Sequence, residues 1–406
     1  MKKILLTLLF LLFGTYANAD CNIKSGSINI LANDFPALRT LVETAKECKG
    51  SADFKVTHSS EHNKIAVPAL TANPSEFSVR VAANSSIVPL MNGGLIRPMN
   101  DLVKKYGKNI QDSQLITIDG KVMAVAFMAN TQHLYVRTDV LKENGIAIPK
   151  TYEEVVAAAE KIRAAGKMKH PYAAAYKAGW NLAEEFVNMY IGHGGEFFKS
   201  GSAKPNVNNA KGVATLNMLK KLADLSNPDY LTHDSEAIKV EWESGNVAIM
   251  TLWASRSGTL LDDEGDAKIT AATKLVAPAT VGGGNIPAAT LWWDGFTLAK
   301  NRPDADAEAS FRAMAHAATS KEMVAKAADQ AVWLVEGFVP GPKSVGVIEA
   351  VKMGAKPYPM LPQMGLMHGA LGSEIVEFLQ GNESAEQALK DVEAAYTSKA
   401  KEQGFL

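Results

Sequence analysis

Two cysteines, no cluster of basic residues and no apolar run long enough to cross a bilayer set the first limits on this chain of 406 residues. So few cysteines exclude a disulfide-built scaffold, and the absence of Cys-x-x-Cys excludes a zinc ribbon or a thioredoxin-type redox pair. Lysine and arginine number 42 against 43 acidic residues, spread without a basic run. Nucleic acid is therefore not expected as a partner, because phosphate binding needs clustered positive charge. The longest apolar stretch, Ile4 to Phe13, is half the ~20 residues a membrane helix requires. No Gly-x-Ser-x-Gly elbow, phosphate loop, tandem repeat or Pro/Gly/Ser-rich tether occurs. Catalysis thus has no positive signal of the common kinds.

What is present begins with an export signal. Lys2 and Lys3 precede the apolar run, and Ala17-Asn18-Ala19 forms a small-x-small cleavage site, so residues 1–19 read as a secretory signal peptide. Asp20 stands where a lipoprotein signal needs a small residue, which argues against lipid attachment at Cys21. Removal of Lys2 and Lys3 takes the formal charge from -1 to -3. The mature protein is expected to be soluble and periplasmic. In that oxidising compartment Cys21 and Cys48 are expected to pair, the alternative being two buried free thiols. Ile28 to Leu31 reads as a strand and Phe35 to Cys48 as a helix with Phe35, Leu38, Leu41, Val42 and Ala45 on one face. A helix packing back along its strand returns Cys48 toward Cys21.

Strand-like runs alternate with helical patterns, which predicts α/β architecture with largely parallel sheets, and the length predicts two lobes. Strands are expected at Phe77 to Ala82, Val122 to Ala126, Leu134 to Arg137, Val247 to Leu252 and Gly295 to Ala299. Thr151 with Glu154, and Ser384 with Gln387, have capping-box spacing ahead of apolar periodicity. Further helices are expected over Lys211 to Leu225 and Ala305 to Ala318.

The stretch from Asp119 to Ile162, DGKVMAVAFMANTQHLYVRTDVLKENGIAIPKTYEEVVAAAEKI, resembles the carbohydrate-type extracellular solute-binding proteins of ABC importers, the maltose-binding-protein-like family. Ile87 to Leu102, Ala237 to Trp253 and Leu379 to Ala395 are similar to further family segments, in the expected order. The resemblance implies a periplasmic-binding-protein-like two-lobe fold with mostly parallel central sheets. It implies crossovers near Phe127 to Thr131, Pro287 to Trp292 and Val335 to Pro340. The N-terminal lobe would comprise residues 20–128 plus 290–335, and the C-terminal lobe 129–289 plus 336–406. It also implies the substrate-binding component of an ABC sugar importer: a mono- or disaccharide held between the lobes, handed to permease subunits by a monomer with no cofactor and no catalytic activity. A polyol or other non-sugar solute is the alternative. Where the family commonly carries an aspartate, this chain has Ser78-Val79-Arg80, so ligand contacts in that region depart from the family pattern.

Sugars present hydroxyl pairs and apolar ring faces, answered by planar polar groups and aromatic platforms. Trp292-Trp293-Asp294 is the most pointed candidate: Asp294 accepts hydroxyl hydrogens beside an indole. In extended backbone the two tryptophans face opposite ways, so at most one reaches the cleft, and the other reading of each is a core residue. Trp253 and Arg256 follow a strand, where loops line the crevice of an open α/β sheet, although Arg256 also reads as a surface arginine. Trp180 and Asn181 are candidates for contact, with Asn181 also readable as a helix cap. Trp242 reads as packing. Asn130 and Gln132 lie at the first crossover, Trp333 and Glu336 at the third. Asn84 and Ser85, and Asn33 and Asp34, follow strands of the N-terminal lobe.

Two enzymatic readings compete. His58-Ser59-Ser60-Glu61-His62 matches the His-x-x-Glu-His of inverted zinc peptidases, which needs both histidines on one helical face. A strand over Phe54 to Val56 and a cap at Ser59 or Ser60 leave His58 outside the helix, and Pro68 limits that helix, so no metal site is expected. A glycosidase would need two facing carboxylates, for which Asp294 and Glu336 are candidates.

Overall fold

The structure, a computed structural model, describes residues 21–262 and 265–406; the signal peptide read at residues 1–19 lies outside the described residues. Two sheets organise the molecule. The larger runs in the order Val332–Trp333, Lys121–Asn130, Thr290–Ala299, Val79–Ala83, Ser27–Ala32 and Asp53–His58, and the smaller runs Thr273–Val276, Gln132–Arg137, Ile249–Trp253 and Tyr172–Ala173.

Local sequence explains how these elements start and what they bury. Pro36 opens the helix Pro36–Glu47 at a position whose N–H has no intrahelical partner. Its Leu38, Leu41 and Val42 are fully buried against the large sheet. Removing each such side chain from water contributes about 1.5–3 kcal/mol. The cap of Tyr152–Ala164 is reciprocal: Thr151 Oγ1 accepts from the Glu154 N–H at 3.2 Å, and the Glu154 carboxylate accepts from the Thr151 N–H at 3.4 Å. Ser384 Oγ accepts from the Gln387 N–H and opens Ala385–Glu402. Cys21 and Cys48 form a disulfide with Cα atoms 5.4 Å apart, as the return of Pro36–Glu47 along Ser27–Ala32 predicts.

The sheets are mixed, which corrects the expectation of mostly parallel strands. Of the eleven strand pairings among the described residues, four are parallel and seven antiparallel. Ser27–Ala32 pairs in parallel with Asp53–His58 and with Val79–Ala83, joined by helices as crossover geometry requires. Thr290–Ala299 arrives from the small-sheet side and inserts antiparallel between Val79–Ala83 and Lys121–Asn130. Chain that passes between lobes reverses direction, and alternation of strand and helix in sequence does not reveal that reversal.

Each sheet has its own core. One cluster joins Ile28, Val81, Phe296 and Phe311 around the large sheet; another joins Val136, Phe186, Leu219 and Leu389 around the small one. The C-terminal helices Met364–Glu374 and Ala385–Glu402 contribute to the second. Between Lys121–Asn130 and Gln132–Arg137 only Thr131 intervenes, and its hydroxyl donates to the Thr290 carbonyl at 2.8 Å, tying the two crossover strands together. After Trp333 the chain reaches the helix Val345–Lys352, which packs on Gln132–Arg137; a Cβ at Gly346 would strike the His133 imidazole, so the close approach requires glycine.

Candidate functional site

A cavity of about 200 Å³ lies between the lobes. Asn63, Arg80 and Ser85 line it from the large-sheet side, Trp180, Tyr358 and His368 from the other. A second cavity, about 250 Å³, sits on the large-sheet lobe beside Cys21 and His316. Only the first is walled by both lobes.

Along Val79–Ala83, Val79 and Val81 enter the large-sheet core, so Arg80 points to the opposite face, between the helices His62–Thr71 and Asn84–Asn92. Arg80 is 1% exposed. Its Nη2 donates to Asn63 Oδ1 at 2.6 Å, while Nε and Nη1 have no hydrogen-bond partner. Burial lowers its pKa to about 10, against the pull of Asp294, so it remains a cation at neutral pH. Asp294 sits at a bulge of Thr290–Ala299 where the next residue, Gly295, lies so close to Val125 that an added Cβ would be 2.8 Å from its carbonyl oxygen. Burial pushes the half-buried Asp294 up to about 7, opposed by Arg80 and Arg256.

The opposite wall is aromatic. Trp180 is the first residue of Trp180–Gly192 and remains 38% exposed. Gly179 precedes it with φ of 97°, a conformation side chains rarely adopt, and its N–H donates to the Gly372 carbonyl at 3.0 Å. The Trp180 ring lies 5.1 Å from His368, 5.7 Å from Trp292 and 6.3 Å from Trp253, and Trp292 lies 4.5 Å from Tyr358. Burial lowers His368 to about 4, so the ring is neutral. Its Nε2 lies 3.0 Å from the Trp180 carbonyl, which only accepts; the proton is therefore on Nε2, and Nδ1 accepts from the Tyr358 hydroxyl at 3.0 Å. One imidazole thus links the Trp180 backbone to the Tyr358 side chain.

Behind this wall a buried polar network joins the crossovers. Gln132 donates to Glu185 at 2.8 Å and accepts from Asn188 at 2.9 Å. The Trp292 indole N–H donates to Thr290 Oγ1 at 2.7 Å, and the Thr290 hydroxyl lies 2.9 Å from Glu184 and 2.7 Å from Asn188. Burial raises Glu184 well above the carboxylate range and Glu185 to about 8. Burial thus favours the protonated form of both carboxyls.

Of the residues singled out from the sequence, Ser85 and Trp180 line the cavity. Trp292 and Trp293 do face opposite ways: Trp292, 6% exposed, joins the small-sheet core, while Trp293 packs on the large-sheet lobe. Asn84 is occupied structurally, donating to the Leu291 carbonyl and accepting from the Trp293 N–H. Asn130 is likewise held by Ser255 and Thr131. Arg256 is no surface arginine: it reaches across to lie 5.1 Å from the Phe35 ring centroid, and Nε is 3.2 Å from Glu236 but out of line for a hydrogen bond. Asn181 is not the cap; it lies inside the first turn, because the glycine conformation at 179 starts the helix two residues earlier. Asn33 accepts from the Asp34 N–H, and Asp34 pairs with Arg39. Trp333 is buried with its indole on the Ala327 carbonyl, and Glu336 is exposed beside Lys321, so the two stand apart from the cavity. Trp242 is fully buried.

The His-x-x-Glu-His residues divide between two elements. His58 ends Asp53–His58 and its Nδ1 lies 3.0 Å from the Asn33 carbonyl; His62 begins His62–Thr71, capped at Glu61 and not at Ser59 or Ser60. That helix continues through Pro68, contrary to expectation. Sequence reasoning missed Asn63, Tyr358, His368, Glu184 and Glu185. For the glutamates a signal exists: they interrupt the mainly apolar, all-round buried run from Leu182 to Ile191, where a charge has no outlet.

Residues 43–357 match the model of the bacterial extracellular solute-binding protein family, and the chain belongs to that family. A probable ABC transporter-binding protein of Deinococcus radiodurans is 32% identical over 193 residues. That match covers 46% of this chain and 44% of the relative, so the chain spans less than half the length of that curated relative. Among solved structures, a solute-binding protein from Agrobacterium radiobacter K84 in complex with ribitol superposes with a TM-score of 0.81 at 17% identity, covering 92% of this chain and 98% of that one. The maltose-bound T. maritima MalE3 gives 0.78 at 17% identity, with 91% and 99% covered. A solute-binding protein from Agrobacterium vitis S4 with bound D-mannitol gives 0.76 at 16%, with 94% and 99% covered. At such identities the likeness establishes the two-lobe fold.

Proposed function

We propose that this protein is the periplasmic binding component of an ABC importer and captures a mono- or disaccharide between its lobes. The observation that carries the reading is the interlobe cavity, in which the partly exposed Trp180 stands across from hydrogen-bonding groups on Asn63, Arg80 and Ser85. An indole supplies a platform for the C–H face of a sugar ring, and the facing groups supply donors and acceptors for its hydroxyls. About 200 Å³ is below the ~300 Å³ of ordinary small-molecule sites and favours one ring over a chain of them. The division into lobes of residues 20–128 plus 290–335 and 129–289 plus 336–406, with an export signal before them, belongs to this reading. So does a monomer that presents its closed lobes to permease subunits. A solute touching both walls stabilises the closed form by its differential affinity, and no chemistry in this chain is needed.

A polyol is the second reading, supported by ribitol and mannitol in the structural relatives. A thermal-shift panel of sugars, polyols, amino acids and polyamines separates them, since a ligand bound by the folded state raises the melting point. Hydroxyl-rich solutes should stabilise the protein, and scattering should show a smaller radius of gyration with the solute bound. Stabilisation by amines alone, or release of a product, would overturn the assignment.

A further inference from the structure

Among the described residues that line the interlobe cavity, Arg80 alone carries a charge at neutral pH, since burial keeps His368 neutral. This guanidinium is 1% exposed, and its one hydrogen bond goes to a neutral amide, Asn63 Oδ1. Nε and Nη1 are without partners. Asp294 acts on it through space without a hydrogen bond and divides its pull with Arg256. Burial behind the aromatic wall disfavours negative charge on Glu184 and Glu185.

Taking a guanidinium out of water without a paired anion is costly, and a neutral hydroxyl accepts its hydrogen bond without balancing its charge. A carboxylate does both, and charge-assisted bonds of this kind are roughly twice as strong as neutral ones. We infer that the solute carries a carboxylate that lies against Arg80, so that the cavity selects sugar acids, hexuronates or aldonates, over their neutral counterparts. The inference rests on the reading of the cavity as a site for a hydroxyl-rich solute. One guanidinium matches the single charge of a carboxylate better than the double charge of a phosphate ester.

Calorimetry at constant ionic strength tests this with D-glucuronate, D-galacturonate and D-gluconate against D-glucose, D-galactose and sorbitol, with glucose 6-phosphate as a further probe. At least one acid should bind ten-fold or more tightly than its neutral counterpart. Arg80→Gln should bring acid and neutral ligand within about three-fold of each other. Because Arg80 is buried, a second variant protects the test. Asn63→Asp leaves the guanidinium in place but gives it a resident carboxylate, and it should likewise abolish the preference for acids. Neutral sugars or polyols that bind as tightly as the acids would overturn the inference and leave the sugar-binding reading standing. Binding of glucose 6-phosphate alone would overturn the carboxylate assignment. Failure of all these probes to bind would overturn both readings.

Discussion

The two walls of the interlobe cavity differ in kind. The large-sheet side presents a buried cation with an amide and a hydroxyl, Arg80, Asn63 and Ser85, whereas the other presents neutral aromatic surface, Trp180, Tyr358 and His368. Burial disfavours charge even on the acids behind the aromatic wall. On the proposed reading of the cavity, the contrast assigns charge and shape to separate lobes, so a solute would satisfy both criteria only where the lobes meet on it.

The largest expected effect marks where the aromatic wall ends and the core begins. Trp292→Ala should lower unfolding stability by about 3–5 kcal/mol, because the indole is buried against Tyr358 and bonded to Thr290. Denaturant unfolding measures this. A stable variant with lost affinity would instead place Trp292 on the solute and redraw the wall. Next comes the disulfide of the charged lobe. Replacing both Cys21 and Cys48 by serine opens a cross-link of sequence separation 27 and should cost about 3–4 kcal/mol, with solute affinity unchanged in calorimetry. Trp180→Ala should do the reverse: affinity falls about ten-fold, equivalent to ~1.4 kcal/mol, while the melting temperature barely moves, since this ring is already partly exposed.

The smallest effect concerns the neutral acids. Glu185 keeps its proton to about pH 8 in the folded chain, whereas an ordinary glutamate loses it near 4.5. Between those values the folded state holds more protons than the unfolded one, so this residue makes stability fall as pH rises from about 4.5 toward about 8. Glu185→Gln keeps an oxygen to accept from Gln132 and should flatten that decline. Melting curves at pH 5 and pH 8 compare the two proteins. An unchanged slope would mean that the aromatic wall is backed by an ionised group after all, which erases the contrast between the lobes.

The fold was legible where its signals are local. The Thr151 and Ser384 caps, the amphipathic face of Pro36–Glu47 and the strand positions depend on neighbours a few residues away, and each appears where the spacing predicts. Strand direction was not legible, because the antiparallel insertion of Thr290–Ala299 depends on pairing with residues about 170 and 210 positions earlier. The site was legible in part. Trp180 and Ser85 lie in the first turns of helices that face the cavity, but Tyr358 and His368 come from a segment with no distinctive pattern, joined to Trp180 by tertiary ring contact and hydrogen bonds. Arg80 was noticed only as a departure from the family pattern. What makes it notable is its burial with two guanidinium nitrogens lacking hydrogen-bond partners, which no spacing in sequence encodes.

The middle of the large sheet belongs to a late part of the chain. Thr290–Ala299 separates Val79–Ala83 from Lys121–Asn130, so as the polypeptide emerges end first, both earlier strands have unfilled edges until this later segment arrives. Neither lobe matures by itself in that order, since the small-sheet core in turn requires the helices beyond residue 364. Both cores therefore include residues from the last third of the chain, and neither is complete until those residues are in place.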